Sequence, residues 1–130
     1  MVKEFCEKHK ITEEQFFGKK SLNNFQCASK YIPDGFNPTV RGSLFLGSLK
    51  RIPDGFNPTV GYNCNLGSVE YIPDGFNPTI GGNLDLRSVE ETPEGFSPSV
   101  GGFLDLRCVK RIPNGFKPTV YCRSKLIKEK

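Results

Sequence analysis

Tryptophan is absent from this 130-residue chain, and histidine and methionine occur once each. No run of 18 or more apolar residues is present, so no segment reads as a membrane-spanning helix. Gly-x-Gly-x-x-Gly, Walker-type and His-Glu-x-x-His motifs are missing, and so is paired Cys-x-x-Cys spacing. With His9 as the one imidazole, a Ser-His-Asp or Cys-His constellation would have to be built around it. That residue falls on an amphipathic N-terminal segment and reads as a packing or surface side chain. The expectation is a non-catalytic chain with no cofactor and no metal. The five cysteines (Cys6, Cys27, Cys64, Cys108 and Cys122) are odd in number and read as free thiols of a reducing compartment. The first ten residues are too charged for a secretory signal. Together these features give a cytoplasmic expectation.

Charge of one sign is also scarce where most of the chain lies. The net charge is +4, but residues 1–31 carry +2, residues 32–120 carry −1 and residues 121–130 carry +3. A polyanion groove needs cations clustered along one face. Here the net positive charge sits at the ends (with Lys3, Lys8, Lys10, Lys19 and Lys20, then Lys125, Lys128 and Lys130), so nucleic-acid binding is disfavoured.

What the chain has in excess is glycine (14) and proline (10), and their placement is periodic. Ile32-Pro-Asp-Gly-Phe-Asn-Pro-Thr39 returns unchanged at 52–59 and 72–79, and in altered form at 92–99 and 112–119. Between copies runs a block typified by Gly42-Ser-Leu44-Phe-Leu46-Gly-Ser-Leu49. All ten prolines, and every glycine but Gly18, keep this 20-residue register.

Six columns are apolar in nearly every copy, headed by Ile32, Phe36, Val40, Leu44, Leu46 and Leu49. One such unit cannot bury six apolar side chains alone, whereas stacked units share a continuous core with like on like. Leu44-Phe45-Leu46 alternates in and out as a half-buried strand does. The prolines argue against pairing elsewhere in the coil, and Pro-Asp-Gly suits a type I turn. The fold expected is a β-rich solenoid of about five coils over 32–126, with one short parallel strand per coil near 43–47. Residues 1–31 would form an N-terminal helical cap and 127–130 a basic tail. Within the cap, Thr12-Glu-Glu-Gln15 is a capping box, with Ile11 and Phe16 as its hydrophobic staple and Gly18 as the stop.

The Leu-x-Leu block followed by Ile-Pro and Phe resembles the leucine-rich repeat, with a unit at the short end of that class. It also resembles tandem repeats of the form Pro-x-Gly-Phe/Leu-x-x-x-Val-Gly-Gly-x-Leu-x-Leu found in bacterial and bacteriophage proteins. Leucine-rich repeats carry an inter-coil asparagine three residues after the second strand leucine. Leu49, Val69, Val89 and Val109 stand there in this chain. The likeness implies a binding module, and its phage-borne form implies a small inhibitor or adaptor acting on a host protein complex.

Outward strand positions vary most from copy to copy, as a recognition face does. Phe45, Asn65, Asp85, Arg87, Phe103, Asp105 and Arg107 are the expected partner-binding residues. Asp85 with Arg87 and Asp105 with Arg107 are expected to form a cross-coil charge cluster. Tyr31, Arg51, Tyr71, Glu91 and Arg111 make a second varied row. Asp34, Asp54, Asp74 and Glu94 read as turn formers rather than Ca²⁺ ligands. The Asn37/Thr39, Asn57/Thr59 and Asn77/Thr79 rows match only weakly the regular polar rows of ice-binding solenoids. A protein partner is expected. The alternatives are nucleic acid held by the basic ends, a homodimer through the C-terminal edge strand, and structural self-assembly.

Overall fold

The computed structural model describes residues 1–111, together with residues 121–123 as backbone strand. Helix α1 spans Val2–His9 and α2 spans Glu13–Phe16. The capping box forms as expected: the Thr12 hydroxyl accepts from the Gln15 N–H at 3.0 Å, and the Gln15 side chain accepts from the Thr12 N–H at 2.9 Å. Lys10 in the left-handed region (φ 57°) ends α1.

Among the described residues eleven short strands follow: β1 (Ser21–Leu22), β2 (Phe25–Gln26), β3 (Thr39–Val40), β4 (Leu44–Phe45), β5 (Thr59–Val60), β6 (Cys64–Asn65), β7 (Thr79–Ile80), β8 (Leu84–Asp85), β9 (Ser99–Val100), β10 (Phe103–Asp105) and β11 (Tyr121–Arg123). They build two parallel sheets, β1-β3-β5-β7-β9 and β2-β4-β6-β8-β10-β11. Each repeat pairs with the next at a 20-residue offset, Val40 with Val60 and Leu44 with Cys64. The chain is therefore a parallel β-solenoid of tandem repeats behind a short helical cap.

Three details differ from expectation. Each coil contributes two strands, not one. Proline lacks the donor but keeps its carbonyl, so Pro38, Pro58 and Pro78 accept from the N–H groups of Thr59, Thr79 and Ser99 (3.2, 3.1 and 3.0 Å) and open a strand without interrupting the ladder. The Pro-Asp-Gly turn is closed by the Phe56 N–H donating to the Pro53 carbonyl, which puts Gly55 third in the turn at φ 78°. That is type II geometry, not type I. Residues 1–31 are part helix and part rung, because β1 and β2 pair with β3 and β4. The offsets there are 18 and 19 residues, outside the repeat register.

The core is the expected set of columns. Phe36, Val40, Leu44, Leu46, Leu49 and Ile52 are all buried, and the phenylalanine column stacks at ring separations of 6.0, 6.0 and 6.4 Å from Phe36 through Phe96. At the N-terminal end Phe5, Phe16 and Phe25 pack round Phe36 at 5.1–5.4 Å and so cover the last ring of the column. Membership of Phe116, Val120 and Leu126 in these columns, the edge-strand dimer, the 127–130 tail and the terminal lysines lie outside the described residues.

Polar ladders tie the coils along the axis. Asn37 Oδ1 accepts from the Asn57 N–H while its Nδ2 donates to the Gly55 carbonyl at 2.7 Å, and Asn57 repeats both bonds to Asn77 and Gly75. The asparagine ladder missing from the leucine-rich-repeat position is thus present at another one. The Asn37, Asn57 and Asn77 amides are engaged along the axis, which withdraws them from a row facing outward.

One coil breaks a core column. Thr92 stands where Ile32, Ile52 and Ile72 do and is buried, and its hydroxyl has no partner among the described residues. Burying an unsatisfied hydroxyl costs about 1–3 kcal/mol. Thr92→Ile is therefore expected to stabilise the fold by about 1–2 kcal/mol in urea unfolding; a lower midpoint would refute this.

Candidate interaction face

Because side chains alternate across a strand, Leu44 and Leu46 point inward and Phe45 points out. The in-register stack then aligns Phe45 with Asn65, Asn65 with Asp85, and Asp85 with Asp105. All seven residues singled out from the sequence lie on this outer face of the six-stranded sheet or at its margin. Gln26 extends the row by one rung, paired with Phe45. The sequence concealed it, because the 21–26 segment does not follow the repeat; the alternation of buried Phe25 and Cys27 about Gln26 was the one available signal.

Most of the row has an internal task. Asn65 Oδ1 accepts from the Gly67 N–H, Asp85 Oδ1 from the Arg87 N–H and Asp105 Oδ1 from the Arg107 N–H, at 2.9, 3.1 and 3.2 Å. Each is an Asx turn that bends the chain out of the strand. A neighbouring column forms a second axial ladder: Asn24, Asn63 and Asn83 side-chain oxygens accept from the N–H groups of Ser43, Asn83 and Phe103, and the Ser43 hydroxyl accepts from Asn63. Phenylalanine can supply neither bond. Phe45 replaces the Asx residue and Phe103 the ladder residue, and their rings are 41% and 48% exposed.

The charge pairs close within each coil. Arg87 Nη2 lies 2.6 Å from Asp85 Oδ2, with Nε also bonded to that carboxylate, and Arg107 and Asp105 repeat the arrangement at 2.6 Å. The carboxylate hydrogen bond, then its charge, raises each guanidinium's pKa, and Asp105 adds to the effect at Arg87 across the rung. The expected cross-coil cluster is thus two intra-coil forks coupled at longer range. Geometry dictates this: residues i and i+2 of a bent strand end meet more closely than charges a rung apart.

Between these features lie two open depressions. One, about 360 Å³, is bounded by Gln26, Cys27, Ala28, Phe45, Gly47, Ser48 and Asn65. The other, about 240 Å³, is bounded by Asn83, Asp85, Arg87, Phe103 and Asp105. The second varied row exposes Tyr31 and Tyr71, holds an Arg111–Glu91 contact at 3.6 Å, and borders a hollow of about 210 Å³ with Asp34, Arg51 and Asp54.

The remaining chemistry is confined. His9 Nε2 lies 3.5 Å from Cys27 Sγ, with its ring against Phe5 (4.4 Å) and Phe25 (5.7 Å); burial, and then Lys8, lowers its pKa. Among the described residues no group of three or more His, Cys, Asp or Glu is placed to hold a metal ion, and no helix is long and apolar enough to cross a membrane.

Cys64 fills a strand-leucine position, and burial, with a smaller contribution from Asp85, pushes its thiol up to about 12. Cys108 replaces the serine whose counterparts Ser68 and Ser88 donate to the Gly47 and Gly67 carbonyls, and it is exposed. Among the four cysteines with described side chains, a brief iodoacetamide pulse at pH 8 is expected to label Cys108 and to spare Cys6, Cys27 and Cys64 until the protein unfolds. Peptide mapping reads the result, and rapid labelling of Cys64 in the folded state would refute it. No protein-family model, curated protein or solved structure matches the chain.

Proposed function

We propose that the chain is a non-catalytic binding module whose partner is a protein, engaged by the outer face of the six-stranded sheet. One observation carries the reading. At Phe45 and Phe103 the side chain cannot make the hydrogen bond that the equivalent residue of other coils makes, and presents a half-exposed aromatic ring instead. Such rings gain little for the fold but are the residue type that anchors interfaces. Between them Arg87 and Arg107 are held by their carboxylates, which lowers the entropic cost of ordering them on binding. The resemblance to leucine-rich repeats and to phage-borne tandem repeats supports an adaptor or inhibitor that acts on a host protein complex in the cytoplasm.

The test is affinity capture from cells that carry the gene, using the wild type and the Phe45→Ala/Phe103→Ala variant in parallel. The reading expects one or a few proteins retained by the wild type in high salt and lost by the variant. Equal capture by both would refute it. So would recovery of nucleic acid that salt releases, which is the signature of binding through the basic ends.

A further inference from the structure

The face is formally near neutral, yet its charges are layered. In the two forks the carboxylates are 17% and 16% exposed, whereas the guanidinium side chains are 51% and 44% exposed. Asp85 and Asp105 spend their oxygens on Nε, Nη2 and the Asx turn. Arg87 and Arg107 bond their carboxylates through Nε and Nη2 and stay half exposed. The guanidiniums are thus more exposed than the carboxylates that hold them. At the other end of the face the column occupied by Arg87 and Arg107 holds Ala28 and Gly47 instead, so a hollow of about 360 Å³ with no charged residue on its wall opens beside Phe45.

From this layering, and resting on the reading just given, we propose that the partner offers an extended acidic segment. A bulky apolar side chain of that segment fills the Phe45 hollow, and a carboxylate on the same face of the segment binds the exposed guanidiniums of Arg87 and Arg107. The spacing follows from the rungs. Arg87 and Arg107 lie two and three rungs beyond Phe45, about 10 and about 14 Å at the usual ~4.8 Å per rung. An extended chain advances ~3.3 Å per residue. Side chains of an extended chain share a face only at every second residue, so an acidic residue four positions from the apolar one, about 13 Å away, lies between the two guanidiniums. Carboxylates fit better than phosphates, because a dianion would sit close above Asp85 and Asp105 and be repelled.

Two blocked peptides test this, one containing Leu-Ser-Gly-Ser-Glu and the other its reverse, Glu-Ser-Gly-Ser-Leu, titrated into ¹⁵N-labelled protein. One of them is expected to shift the Nε–H signals of Arg87 and Arg107 and the amides of Phe45 and Gly47 saturably. Its twin with glutamine for glutamate is expected to bind about tenfold more weakly, as loss of a charge-assisted bond implies. Arg87→Gln/Arg107→Gln should match that loss, with circular dichroism confirming the fold. No saturable shift from either peptide at millimolar concentration would overturn the proposal. Equal binding of the glutamine twin, or stronger binding of an oligothymidylate, would also overturn it. A partner captured through Phe45 and Phe103 but indifferent to Arg87→Gln/Arg107→Gln would sink this inference and leave the binding face standing.

Discussion

Phe56→Ala is expected to destabilise the protein by about 3–5 kcal/mol, a large fraction of the stability of a domain this size. The ring is 2% exposed and lies 6.0 Å from both Phe36 and Phe76, within 12° of parallel to each. Truncation removes buried apolar area and opens a cavity between two rings that the rigid sheets hold apart. Neighbouring coils cannot close it, because inter-strand hydrogen bonds on both sides fix the rung spacing. Solenoid stability is a sum of coil and interface contributions, so damage at an inner rung weakens two interfaces at once. Thermal unfolding should fall by about 10–20 °C. A change below about 1 kcal/mol would mean that the column is not the core.

Gly81→Ala is expected to cost about 3 kcal/mol or more, although it adds one methyl group. A Cβ there would sit 2.2 Å from the Gly61 carbonyl oxygen and 3.0 Å from its carbon. Gly101 meets Gly81 in the same way, and Gly61 meets Arg41. These are backbone atoms of the preceding coil, so relief requires the coils to separate at the corner where the Gly81 N–H donates to the Val60 carbonyl. Gly75→Ala is the informative contrast. Gly75 has φ 84° with nothing within 4 Å of its Cβ position, so its cost is the left-handed backbone alone, about 1–2 kcal/mol. Chemical denaturation of the pair should rank Gly81→Ala as the more damaging. The reverse order would mean that the coils are spaced more widely than described.

The columns were legible because burial repeats with the chain's own period: an apolar residue every 20 positions has no other economical explanation. The second strand was not, because the missing N–H of Pro38 hides a carbonyl that still accepts. The leading rung at 21–26 escaped because its offsets of 18 and 19 break the register that made the others visible. At the candidate face, position was legible and purpose was not. Strand alternation puts Asn65, Asp85 and Asp105 outside, but only the geometry reveals that each caps a turn. Seen so, the acids position and the arginines present, and Phe45 and Phe103 stand out as departures from a structural rule rather than as two more variable residues. The Asn37 column carries the same lesson in reverse, since a polar row on paper becomes an internal strap in three dimensions.

Aromatic nuclear Overhauser spectroscopy on protein with selectively labelled phenylalanine offers the most direct check on register. Single Phe→Leu variants would assign the rings. Cross-peaks are expected to link Phe36 to Phe56, Phe56 to Phe76 and Phe76 to Phe96, with none between Phe36 and Phe76. Rings that show no mutual contacts, or that pair across two repeats instead of one, would contradict the stacked coil and, with it, the surface proposed to receive a partner.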